Sequence, residues 1–189
     1  MRLNLARILL ARTYINPLFL DTPQYECEAL GEALGCRVFL KVETLNPVRS
    51  FKGRGTETVL TRLQERGTAN AVVCASAGNL GQALAFGGRL RGVEVTVIAS
   101  SGANPLKIER MKAFGADVIL VDGGIEDALE AATQHAAETG AFLVEDSKDI
   151  DTCAGAATIG LELSDLPGAL DSVLISLGAG AMASGVGLR

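Results

Sequence analysis

The 189-residue chain is poor in the residues from which many sites are built: one histidine, four cysteines, no tryptophan and 4% aromatics. A Ser-His-Asp or Cys-His site would have to use His135, which lies in an amphipathic helical stretch, Ala128–Glu138, and reads as a surface or boundary side chain. Cys27, Cys36, Cys74 and Cys153 form no CxxC pair. Metal-ligand spacing is therefore absent, and the cysteines fit a reducing cytoplasm. A basic excess is lacking too. With 17 basic and 22 acidic residues the net charge is −5, which argues against a nucleic-acid partner. Met1–Arg12 is interrupted by Arg2, Arg7 and Arg12 and does not read as a signal peptide. Thr68–Gly88 is uncharged, but Asn70, Asn79, Gln82 and repeated glycine make it a poor membrane span. A soluble protein with no metal site and no membrane partner is expected.

What is present is 48% hydrophobic residues and 22 glycines, enough for an ordinary globular domain with an aliphatic core and frequent tight turns. From about Arg37 onward a short apolar run, a Gly- or Asn-containing turn and an amphipathic stretch recur. The runs Val38–Val42, Ala71–Ala75, Val93–Ala99, Val118–Val121, Ala141–Val144 and Val173–Leu177 are predicted strands buried on both faces. Gly55–Arg66, Leu80–Arg91, Pro105–Phe114, Ile125–Thr139 and Ala154–Leu166 are predicted helices. Asn104-Pro105 supplies a helix start and Gly115 a stop. This alternation predicts an α/β fold, mostly parallel sheets with helices on both faces, whose ligands bind at the carboxyl ends of the strands.

Three segments at such ends carry candidate chemistry. Ser50-Phe51-Lys52-Gly53-Arg54-Gly55 sets a lysine at a helix start, where Arg54 and the helix N-terminus disfavour an ammonium; a solvated basic loop is the alternative. Ser76-Ala77-Gly78-Asn79-Leu80-Gly81-Gln82 follows a strand and can offer backbone N–H groups to a carboxylate, or serve merely as a capped turn. Gly178-Ala179-Gly180-Ala181-Met182 also follows a predicted strand and suits a phosphate. The last segment also satisfies a loose dinucleotide fingerprint, but a nicotinamide site leaves Ser50–Gly55 unexplained.

In this order and spacing the three segments resemble the fold type II pyridoxal-phosphate enzymes, the threonine and serine dehydratases, serine racemase, threonine synthase and their relatives. Ser50–Gly53 resembles the cofactor-lysine motif, Ser76–Gln82 the asparagine loop and Gly178–Met182 the phosphate loop. Lys41–Pro47, Lys107–Asp122 and Thr158–Glu162 resemble flanking stretches, so the likeness runs from about Asn16 to Arg189. The resemblance implies a tryptophan synthase beta-like fold with a smaller α/β domain at 50–148, and 1–49 with 149–189 as an incomplete larger domain. It implies pyridoxal 5'-phosphate as cofactor, a small amino-acid substrate, and a homodimer as the family habit. Lys52 would hold the cofactor and remove the substrate's Cα proton. Asn79 would contact the cofactor ring's oxygen. Gly178, Ala179, Gly180, Ala181 and Met182 would hold the phosphate, and Ser76, Ala77, Gly78 and Asn79 the substrate carboxylate.

Departures from the family pattern shape the expected reaction. Ala179 and Ala181 stand where glycine is usual, which keeps the N–H donors and restricts positive φ. Leu80 follows Asn79 where dehydratases often carry histidine. Ala77 stands where serine racemase carries its second acid/base, which favours elimination over racemization. The expected activity is deamination of threonine or serine to a 2-keto acid and ammonia. Threonine synthase or cysteine synthase chemistry, and an inactive fragment retaining the fold, are the alternatives.

Overall fold

The computed structural model describes residues 3–68 and 70–187. In chain order the elements are α1 (Leu5–Tyr14), a 3-10 turn at Pro17–Phe19, β1 (Gln24–Glu26), α2 (Glu28–Leu34), β2 (Phe39–Lys41), α3 (Lys52–Arg66), β3 (Ala71–Ala75), α4 (Asn79–Arg91), β4 (Glu94–Ser100), α5 (Pro105–Ala113), β5 (Asp117–Val121), α6 (Ile125–Thr139), β6 (Phe142–Leu143), α7 (Ile150–Leu163) and α8 (Ala181–Val186). Four strands form a parallel sheet in the order β5-β4-β3-β6. Successive residues of a strand point to opposite faces. Val72 and Cys74 accordingly join the core under α3, α4 and α5, while Val73 joins Ala128 and Ala132 of α6 on the other side. Helices thus cover both faces, as the buried aliphatic runs require.

The chain builds outward from β3 through β4 to β5 and then returns to place β6 on the opposite flank of β3. The crevice beyond the carboxyl ends of β3 and β6 is therefore a topological switch point, the place where such sheets bind ligands. Helix starts carry their expected signals: the Asn104 side chain accepts from the Leu106 N–H at 2.9 Å, beside Pro105.

Around this sheet lies a helical layer. α7 packs against α1, α3 and α8. Its approach to α3 is close because Gly155 has no Cβ, which would come within 2.3 Å of the Arg54 carbonyl oxygen. α1, absent from the sequence-based pattern, is capped by Asn4 and buries Ile8 and Ala11. β2 was expected among parallel strands but pairs antiparallel with β1. Val173–Leu177 is not a strand in the structure. A strand requires a neighbour for its backbone hydrogen bonds, and no described strand pairs with this segment, which leaves Leu174 99% exposed. Among the described residues no helix is long and apolar enough to cross a membrane, and no group of His, Cys, Asp and Glu could hold a metal ion. His135 lies within α6, half-buried.

Candidate active site

Lys52 is the first residue of α3, delivered there by a tightly bonded turn. The Asn46 side chain accepts from the N–H groups of Val48 and Ser50 at 3.1 and 3.3 Å and donates to the Ser50 carbonyl at 3.0 Å. Arg49 within that turn adopts a left-handed φ of 53°. The Lys52 amine donates to the Asp146 carboxylate and lies 4.6 Å from the centre of the Phe51 ring. Phe51, Lys52, Gly55, Thr56, Leu80, Asp146, Thr152 and Ala156 line a shallow depression at the switch point. Asp146 follows β6, and nothing in its local sequence marks it as a site residue.

The glycines flanking Lys52 serve packing. A Cβ at Gly53 would fall 2.3 Å from the Phe19 ring, and one at Gly55 would fall 2.8 Å from the Thr152 carbonyl oxygen. Arg54 was expected to disfavour an ammonium at residue 52; instead its fully buried guanidinium is neutralised in a separate cluster. Its guanidinium donates to Glu162 at 2.6 and 2.9 Å, to Glu43 at 2.8 and 3.0 Å, to Thr158 at 3.0 Å and to Thr22 at 3.2 Å. Lys41 joins Glu162 at 2.5 Å, so two cations meet two carboxylates. Burial alone would raise the Glu162 pKa. Hydrogen bonds from Arg54 and Lys41 outweigh it and bring the group down to about 2. The cluster joins β2, α3 and α7 and so fixes the helix that carries Lys52. Lys41, Glu43, Thr158 and Glu162 lay in the flanking motif stretches and Arg54 in the lysine segment, but Thr22 and the partnership itself were not marked.

In the second segment the Ser76 hydroxyl accepts from the N–H groups of Gly78 and Gly81, both at 3.1 Å, and the Ser76 N–H donates to Ile98 at 2.9 Å. Ser76, two residues before the N-cap Gly78, thus satisfies an N–H of the first turn of α4 from outside the helix. Ala77 and Asn79 are exposed, and their N–H groups have no partner among the described residues. Leu80, in the position where histidine was noted, is buried against the core and lines the depression beside Lys52. Lys107, which sequence reasoning did not single out as a site residue, brings its amine beside Gly78; a Cβ there would lie 3.2 Å from it.

The third segment turns into α8 through Gly180, whose φ is +94°. Neither Ala179 nor Ala181 has positive φ, so the two alanines sit without backbone strain and the one left-handed position keeps its glycine. Ala181 is buried, and Phe51 packs with Met182 against the cluster that contains it. Leu80 and the Lys52 depression on one side, and Met182 with Phe51 on the other, bring parts of all three segments to the start of α3.

Residues 15–189 match the family model described as pyridoxal-phosphate dependent enzyme. An L-threonine ammonia-lyase of Thermotoga maritima is 37% identical over 158 residues, covering 83% of this chain and 39% of that protein. An L-threo-3-hydroxyaspartate ammonia-lyase of a Pseudomonas species is 32% identical over 167 residues, covering 88% and 52%. Among solved structures, maize serine racemase superposes with a TM-score of 0.93 at 27% identity, covering 100% of this chain and 57% of that one. The chain thus spans roughly half the length of the proteins it matches, 39% to 57% of these three. It belongs to the pyridoxal-phosphate-dependent enzyme family.

Proposed function

We propose that the chain carries the lysine-bearing part of a pyridoxal-phosphate-dependent ammonia-lyase that converts threonine or serine to a 2-keto acid and ammonia. The observation that carries this reading is the Lys52 amine in a depression at the sheet's switch point, beside Leu80 of the second segment. The residues present suit the cofactor: one lysine amine, partnerless N–H groups at Ala77 and Asn79, and a glycine-rich turn at Gly178–Met182. Pyridoxal phosphate, when bound, supplies the electron sink that makes an amino acid's Cα proton removable.

In this reading Lys52 would hold the cofactor through its amine and would take the substrate's Cα proton. Asn79 orients the cofactor ring, and the N–H groups of Gly178–Met182 hold its phosphate. Ser76 keeps the second segment in shape, leaving Ala77 and Asn79 to bind the substrate carboxylate through their N–H groups. Ala77 offers no proton to the opposite face of the substrate, which supports elimination over racemization.

The test is the visible spectrum of the purified protein mixed with pyridoxal phosphate, followed by borohydride reduction and peptide mapping. A reduced adduct at Lys52, with keto acid formed from threonine or serine alone, is the expected result. Label scattered over surface lysines would overturn it. A second reading is favoured by Lys107: its amine beside Gly78 suits a substrate with a second carboxylate, as in the Pseudomonas relative's name. Faster ammonia release from L-threo-3-hydroxyaspartate than from threonine, lost in Lys107→Met, would select that substrate.

A further inference from the structure

We infer that Asp146 is a positioning residue for Lys52, a carboxylate that seats the lysine amine as an ammonium at the end of β6 whenever that amine is not engaged elsewhere. The inference rests on the role proposed for Lys52. The contact is direct, from the Lys52 amine to one Asp146 carboxylate oxygen. It is also exclusive among the described residues: neither side chain has another ion-pair partner. The two side chains are 17% and 20% exposed, so the pair is largely shielded from salt and solvent yet open to a ligand entering the depression.

Asp146 is held in place from behind. Its carbonyl oxygen accepts the hydroxyl of Thr152, a buried residue in the first turn of α7 that also donates to Asp149 at 2.7 Å. The other titratable groups around the pair come from β3 and α7. Cys74 on β3 is pushed up to about 12 by burial and then by the charge of Asp146. Cys153 on α7 is raised by burial and by the charges of Asp146 and Asp149, with Lys52 pulling the other way. Burial raises Asp149, whose side chain is engaged at 2.8 Å by the Asp151 N–H. Both thiols therefore stay neutral, and Lys52 is the cation that answers Asp146.

An ammonium has no lone pair, so Lys52 must give up a proton before it can act as nucleophile or base. The contact with Asp146 holds the ammonium in place until the amine is engaged elsewhere, and the pair re-forms once the amine is freed. Because Asp146 touches the lysine amine itself, it does not replace the proton donor missing at Ala77.

The experiment needs neither cofactor nor substrate. Reductive methylation with formaldehyde and cyanoborohydride, resolved by peptide mapping, compares Lys52 with the exposed Lys112. Asp146→Asn, which keeps the shape and removes the charge, should raise the relative labelling rate of Lys52 about tenfold, the scale of a hydrogen bond between charged groups. Asp146→Glu should return it toward wild type. Equal rates in wild type and Asp146→Asn would overturn the assignment. If the Asn variant does not fold, 15N-lysine NMR of the wild-type chain decides. A Lys52 ammonium signal coupled across a hydrogen bond to Asp146 supports the seat, and a signal indistinguishable from that of Lys112 overturns it. Failure to form the pyridoxal-phosphate adduct would sink the proposed function and leave this result standing; unchanged labelling would do the opposite.

Discussion

Lys52 and Arg54 stand two residues apart at the start of α3, yet their charges are handled in different ways. Arg54 is wholly buried, and its donors are taken up by Glu43, Glu162, Thr158 and Thr22. Lys52 meets a single carboxylate, and its side chain remains 17% exposed. A buried charge is tolerated when every group around it is paired, and such a cluster has nothing left to offer a ligand. A partly exposed pair with one partner can be exchanged. One turn of helix thus combines a structural fastening with a single exchangeable pair.

The largest expected effect separates the two directly. Lys52→Ala should abolish the borohydride-trapped adduct and all keto-acid formation while leaving the thermal midpoint nearly unchanged; a large fall in the midpoint would merge the two regions. Glu162→Gln should do the reverse. Removing one carboxylate from the buried cluster leaves Arg54 and Lys41 undercompensated, at a loss of about 3–5 kcal/mol in urea unfolding. The same carboxylate predicts an acid limb. Its pKa is lowered from 4.5 to about 2, so its contribution is fully present above pH 4.5 and is lost as pH falls toward 2. Glu162→Gln should flatten stability across that window, and an unchanged slope would remove Glu162 from the account.

Smaller effects sharpen the contrast. Ser76→Ala releases the N–H groups of Gly78 and Gly81, should cost about 1 kcal/mol as a lost helix cap, and should weaken substrate binding more than cofactor attachment. Equal losses in both would show that the second segment does not act on the substrate alone. Arg37→Ala breaks the exposed pair with Glu26 and should leave the midpoint within measurement error, since exposed pairs contribute little. A measurable shift there would weaken the distinction between buried and exposed pairs.

Much of the architecture was legible in the chain. Ala71–Ala75 and Ile125–Thr139 were predicted with their observed bounds because buried aliphatic runs and 3.6-residue spacing are local signals. Leu5–Tyr14 was missed because it exposes Leu5, Leu9 and Leu10 and buries only a narrow stripe. Val173–Leu177 has a strand's composition and no strand, since composition cannot supply a partner.

Residue types and spacing along the chain were enough to identify the alternating fold and to mark three segments, Lys52 among them, as candidates, because turns, caps and glycine-rich loops are written within a few neighbouring positions. The pairing of Lys52 with Asp146 across 94 positions, and of Arg54 with Glu162 across 108, had no such local signature. Those contacts exist because the order β5-β4-β3-β6 brings the end of β6 to the start of α3, and because Gly155 lets α7 close on α3. Charge is local to a residue, but its partner is chosen by packing.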